Sequence, residues 1–165
     1  MTYRIYVACL AAYNNGILHG KWIDANDADK MEEETQAMLE ASPIDDAEEW
    51  AIHDYELGFE ISEYESFESI AERVQWIDEQ YDEDLALAVL DNYNGVLEDA
   101  EKCIDEYAGE FSSYRELGEQ YAHELGDVPP HLENYIDYEA YGKSWADNMI
   151  EIDNPKGGTY YFHNW

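Results

Sequence analysis

His123-Glu124 opens like the HExxH of zinc proteases, where two histidines one helical turn apart hold the metal and the glutamate acts as base. Asp127 stands where the second histidine belongs, so the motif is absent. His19, His53, His131 and His163 form no zinc-finger spacing with Cys9 or Cys103. Each histidine reads as a surface or hydrogen-bonded residue rather than a ligand. Gly16-Ile-Leu-His-Gly20-Lys21-Trp22 has the order of a phosphate-binding loop. Its gap is one residue short, and Trp22 replaces the hydroxyl that would reach magnesium. Asp91-Asn-Tyr-Asn-Gly95 begins like a calcium loop, but its glycine falls at position 5, and Lys102 takes the place of the bidentate glutamate. No Gly-x-Ser-x-Gly elbow is present. Forty acidic residues make a carboxylate pair suited to glycoside hydrolysis inevitable somewhere, so such a pair carries no information. No enzyme and no cofactor is expected.

What remains is charge. The chain of 165 residues holds 40 Asp and Glu against 8 Lys and Arg, a formal net charge of -32. Chains this acidic are often disordered, because repulsion opposes collapse. Fifteen Tyr, five Trp and four Phe argue for a folded protein, since each ring can bury about 150–250 Å². Residues 1–55 carry 12 acids and 3 bases, 56–110 carry 18 and 2, and 111–165 carry 10 and 3. The charge is therefore no terminal tail. Nucleic acid and anionic membrane are excluded as partners, and a basic cleft is favoured. No apolar run approaches a membrane span, and no secretory signal is expected at 1–12. Two cysteines far apart in sequence fit free thiols in a reducing cytoplasm.

The elements that position these charges follow from period and punctuation. TYRIYVACL (2–10) alternates as a strand, AYNNG (12–16) turns, and ILHGKWIDA (17–25) forms a second strand. Asn26 or Asp27 caps a helix to about Ser42, with Met31, Met38 and Leu39 inward. EEWAIHDYEL (48–57) reads as a third strand with Trp50, Ile52 and Asp54 on one face. A helix over 66–80, capped by Ser66, buries Phe67, Ile70, Val74 and Ile77. Helices over 82–93 and 96–108 follow, broken at Asn94-Gly95. A short strand near 107–112 leads to a helix ending at Gly126. Pro129 and Pro130 start the next helix, which carries HLENYIDYEAYG, with Tyr135 and Tyr138 on one packing side and Asp137 turned away. MIEID and TYYFHNW close the chain as a hairpin. Glu68/Glu72 and Glu79/Glu83 are like-charge i,i+4 pairs, which destabilise a helix by roughly 0.2–0.5 kcal/mol each. The expected fold class is α+β, in three small domains. These are an N-terminal α+β unit (1–60), a central acidic helical unit (61–105) and a C-terminal α+β unit (106–165).

Three blocks, IYVACLAAYNNGILHGKWI (5–23), EEWAIHDYELGFEISEYESF (48–67) and GDVPPHLENYIDYEAYG (126–142), resemble the ArdA antirestriction proteins. The resemblance implies a cytoplasmic DNA mimic from a mobile genetic element. Such a protein is an elongated, curved homodimer, a chain of three small domains joined to its copy through the C-terminal domain. It occupies the DNA-binding groove of type I restriction–modification enzymes and blocks restriction, and in many cases modification. The signature positions are Trp50, His53, Asp54, Tyr55, Tyr135, Asp137, Tyr138, Tyr141 and Gly142. Under this reading the contact surface is a distributed set of carboxylates: Glu60, Glu63, Glu65, Glu68, Glu72, Asp78, Glu79, Asp82, Glu83, Asp84, Glu98, Asp99, Glu101, Asp105 and Glu106. B-DNA carries one charge per ~1.7 Å, so 32 charges correspond to roughly 54 Å of duplex, about 16 base pairs, and a dimer to twice that. Two rivals remain open at this point: an acidic chaperone of basic proteins, and a carboxylate hydrolase hidden among the acids.

Overall fold

The computed structural model describes residues 2–126 and 128–164. Its chain divides into two compact units, Met1–Glu83 and Asp84–Trp165. The expected cut at 60/61 falls inside the first, and the cut at 105/106 inside the second. The class is α+β. Among the described residues there are seven α-helices and two three-stranded sheets.

In the first unit, alternation along β1 (Arg4–Cys9) sends Ile5, Val7 and Cys9 inward, all fully buried. β1 is the centre of an antiparallel sheet, between β2 (Gly20–Asp24) and β3 (Trp50–Glu56). A short helix, α1 (Leu10–Asn14), follows β1 where a turn was expected. It forms because the Cys9 sulfur accepts the Ala12 N–H, a weak cap that the sequence does not advertise. α2 (Ala28–Glu40) starts at Asp27, whose carboxylate accepts the Lys30 N–H at 3.1 Å. It buries Met31, Thr35, Met38 and Leu39 against β1, β2 and α3 (Phe67–Glu79). Ser66 caps α3, and the expected stripe Phe67, Ile70, Val74 and Ile77 is buried, joined by Ala71 and Trp76.

β3 departs from simple alternation. Its register with β1 pairs Val7 with Ile52 but Tyr6 with Asp54, so His53 is the extra residue of a bulge. Beyond the bulge, Tyr55 lies opposite the buried Ile5, and Asp54 pairs with the outward Tyr6. Asp54 therefore does not share a face with Trp50 and Ile52.

In the second unit, α4 (Glu83–Asn92) and α5 (Leu97–Asp105) are separated at Asn94 and Gly95, with φ of 52° and 77°. α3 stops at Glu79 because Gln80 is extended, so Glu79 and Glu83 belong to different helices and are no i,i+4 pair. The second sheet has the order β4-β6-β5, with β4 (Tyr107–Phe111), β5 (Met149–Asp153) and β6 (Thr159–His163). Central β6 buries Tyr160, Tyr161 and Phe162 in succession, so both of its faces are covered. Tyr161 packs with Leu117, Tyr121 and Ala146 from α6 (Tyr114–Leu125) and α7 (Tyr138–Ala146).

The helix expected from Pro129 through Gly142 is broken. Glu133–Tyr135 forms a 3₁₀ turn, Ile136 is extended, and Asp137 caps α7 by accepting the Ala140 N–H at 3.0 Å. An aspartate N-cap competes with continuation of a helix through it. Tyr135 is thus 85% exposed while Tyr138 is buried, and the two do not share a packing side. α6 and α7 cross at Gly118 and Gly142. A Cβ on Gly142 would sit 1.8 Å from the Tyr114 carbonyl oxygen, and one on Gly118 would sit 2.0 Å from that of Tyr138. Gly142→Ala is expected to cost at least about 1–3 kcal/mol by overpacking. Gly126→Ala, in open space with extended backbone, should stay within about 0.5 kcal/mol of the parent. Thermal or denaturant unfolding of both variants checks this.

Candidate functional site

The helices carry their carboxylates opposite the apolar stripes described above. On α3, Glu68, Glu72 and Glu79 fall within about 40° of one another around the axis, over a rise of ~16 Å. All three are exposed. Asp27, Ala28, Asp29, Glu68, Ala71, Glu72 and Gln75 line a cleft of about 300 Å³. Among the described residues, no group of His, Cys, Asp or Glu is arranged to hold a metal ion, and no helix is long and apolar enough to cross a membrane.

Of the acids expected to form the contact surface, Glu60, Glu63, Glu68, Glu72, Asp78, Glu79, Asp82, Glu98, Glu101 and Asp105 are exposed. Glu65, Glu83, Asp84, Asp99 and Glu106 are half-buried. The structure also exposes acids outside that set: Glu32, Glu33 and Glu40 on α2, Asp45, Asp46, Glu48 and Glu49 before β3, and Glu110, Glu124, Glu139, Glu151 and Asp153 in the second unit. The α2 acids were legible as residues off the Met31/Met38/Leu39 stripe. The first unit holds 22 acids and 4 bases, the second 18 and 4.

The partners sort these carboxylates. Among the described residues, seven bases pair with acids. These are Arg4 with Glu56, Lys21 with Glu34, Lys30 with Asp27, Arg73 with Glu65, Lys102 with Glu98 and Asp99, Arg115 with Glu119, and Lys156 with Asp84. Most of these pairs are exposed and contribute little to stability. Arg73–Glu65 differs, with the two side chains only 13% and 20% exposed and 2.5 Å apart. Glu65 also accepts from Ser69 Oγ at 3.0 Å and Ser62 Oγ at 3.1 Å, and the Arg73 guanidinium lies 5.6 Å from the Phe59 ring centre. Desolvation pushes the Glu65 carboxyl up, but the Ser69, Ser62 and Arg73 hydrogen bonds outweigh it and hold the net value below the usual range. Glu65 is therefore a staple of the segment between β3 and α3 rather than a free surface charge.

The signature residues have structural work. Trp50 stacks on Phe67 at 4.6 Å, and His53 meets the edge of Tyr13 at 4.9 Å. Asp54 Oδ1 accepts the Tyr55 N–H, and Tyr55 Oη donates to Glu60. Asp137 caps α7, Tyr138 is buried, Tyr141 packs its ring on Trp145, and Gly142 makes the α6–α7 crossing. Tyr135 is 85% exposed and makes none of these contacts, while His53, Asp54 and Asp137 are exposed but engaged.

The sequence model of the antirestriction protein ArdA matches residues 5–154 of the 165. The chain belongs to the ArdA family. No curated protein matches it closely enough to count as a relative. ArdA membership implies an antirestriction function, and the match spans most of both units and all the expected surface acids.

Glu65→Gln is expected to lower stability at neutral pH by more than Glu68→Gln does. The folded-state value of Glu65 lies below its unfolded value near 4.5, so its contribution is complete above that pH. It is lost as pH falls through the lower folded value. Denaturant unfolding of the parent and both variants at neutral and acid pH should show the Glu65→Gln deficit shrinking on acidification.

Proposed function

We propose that the protein is an acidic DNA mimic that occupies the DNA-binding groove of a type I restriction–modification enzyme and blocks restriction. It works without catalysis, as a homodimer, in the cytoplasm. The observation that carries this reading is the partition of charge. Bases are consumed in pairs with neighbouring carboxylates, while exposed acids are spread over both units. A basic groove built for duplex phosphate would meet a surface of the same sign and comparable charge. It would gain the ion release that drives phosphate binding.

Dimer formation is supported by an apolar hollow of about 360 Å³ in the second unit. Ala122, Leu125, Val128, Pro129, Leu132, Ile136 and Tyr141 line it. Leu125 is 63% exposed and Leu132 44%, an apolar surface suited to a second copy of the chain.

Single amide substitutions at Glu68, Glu72, Asp78 or Glu79 should be nearly silent, since exposed ion pairs are worth about 0–1 kcal/mol each. Replacing all four together should weaken displacement of duplex from a type I enzyme. It should also flatten the dependence of log affinity on log salt, by up to roughly one unit per contacted charge. A restriction assay in cells, with competition binding at several salt concentrations, checks both. Normal restriction at high expression of the parent would sink the reading. Loss of activity from one amide with the fold intact would replace a distributed surface by a focused site.

A further inference from the structure

Eight bases are too few to order forty carboxylates, and each one used cancels a charge. Neutral donors take over part of that task. Tyr55 Oη donates to Glu60 Oε2 at 2.5 Å, and Tyr3 Oη donates to Glu83 Oε1 at 2.5 Å. Asn154 Nδ2 holds Glu110 at 2.7 Å, and Ser112 Oγ holds Glu116 at 2.6 Å. A hydrogen bond to a carboxylate is charge-assisted and short, yet the full negative charge survives.

The Tyr55–Glu60 pair has the strongest geometry for a role in binding. Tyr55 is fixed on β3 opposite Ile5, and its body is half-buried. Glu60 is exposed, so its charge faces solvent. Its backbone is pinned by its neighbour Phe59, 5% exposed, and by Leu57, 1% exposed. The hydrogen bond to Glu60, then burial, pushes the Tyr55 phenol up, so it remains a protonated donor.

We propose that Tyr55 is a positioning residue of the acidic surface: its phenol holds the Glu60 carboxylate in one orientation and leaves its charge intact for a cationic partner. This rests on the mimicry reading above. An unordered glutamate loses rotamer freedom when a partner captures it, a cost equivalent to roughly 2–10-fold in affinity. Tyr55 meets that cost during folding.

The test uses the full chain with Tyr55→Phe, Glu60→Asp and the double variant. Glu60→Asp keeps the charge but shortens the side chain out of the phenol's reach. Each protein competes with a DNA duplex for a type I methyltransferase core across a salt series, and its unfolding midpoint is measured. Titration of the Tyr55 phenol by NMR, in the parent and in Glu60→Gln, reports the contact without any partner. The expected result is a phenol value that falls in Glu60→Gln. Tyr55→Phe and Glu60→Asp should each weaken competition 2–10-fold at an unchanged salt slope, with no further loss in the double variant. An unshifted phenol, full competition by Tyr55→Phe, or additive losses in the double variant would each overturn the proposal. A loss of competition matched by a collapsed unfolding midpoint would also overturn it, by showing a structural role. Failure of the parent itself to displace duplex would remove the mimicry reading and this proposal together, an outcome distinct from competition that ignores Tyr55.

Discussion

Repulsion among forty carboxylates is the constraint to which the other features of this fold respond. Each unit must collapse against its own charge, and aromatic burial supplies much of the opposing force. In the second unit this is visible on β6, where Tyr160, Tyr161 and Phe162 are buried in sequence, Tyr161 among Phe111, Tyr121 and Trp145, and Tyr160 and Phe162 beside Tyr107 on the other face. In the first, the stack of Trp50 on Phe67 ties β3 to the start of α3. The acids are also placed where the backbone favours them. Asp27 and Asp137 cap helices, and Asp29, Glu68, Glu98, Asp99, Glu116 and Glu139 occupy first turns, where the helix dipole is positive.

This arrangement explains what could be read from the sequence. The stripes of α2 and α3, the Asp27 and Ser66 caps, the Asn94-Gly95 break and the C-terminal hairpin all follow from local pattern, because period and capping chemistry are local. The β3 bulge was not legible, since register depends on the partner strand and one extra residue flips every later side chain. The Asp137 cap was missed for a different reason. Its neighbours Tyr135 and Tyr138 offered a competing helical spacing, and only the fold decides between a cap and an interior position.

The candidate site shows the same division. Exposure of the α3 acids followed from their position off the apolar stripe. The fate of Glu65 did not, because its partner Arg73 lies eight residues away and the pair is enclosed by the fold. A carboxylate in the sequence is a charge, but whether it is spent internally depends on which base the chain brings to it.

That distinction bears on how a surface this acidic can recognise anything. If cations ordered the carboxylates, order and charge would trade against each other, and the best-defined parts of the surface would be the least negative. Arg73 with Glu65 illustrates that trade. Phenol, amide and hydroxyl donors escape it, since they fix an oxygen without changing the net charge. Tyrosine in a chain with eight bases can then serve two needs at once. Buried rings supply core against self-repulsion, and the hydroxyls of Tyr3, Tyr55 and Tyr114 reach the carboxylates of Glu83, Glu60 and Glu151. A surface built this way keeps its full negative charge while holding it more firmly than mobile side chains would.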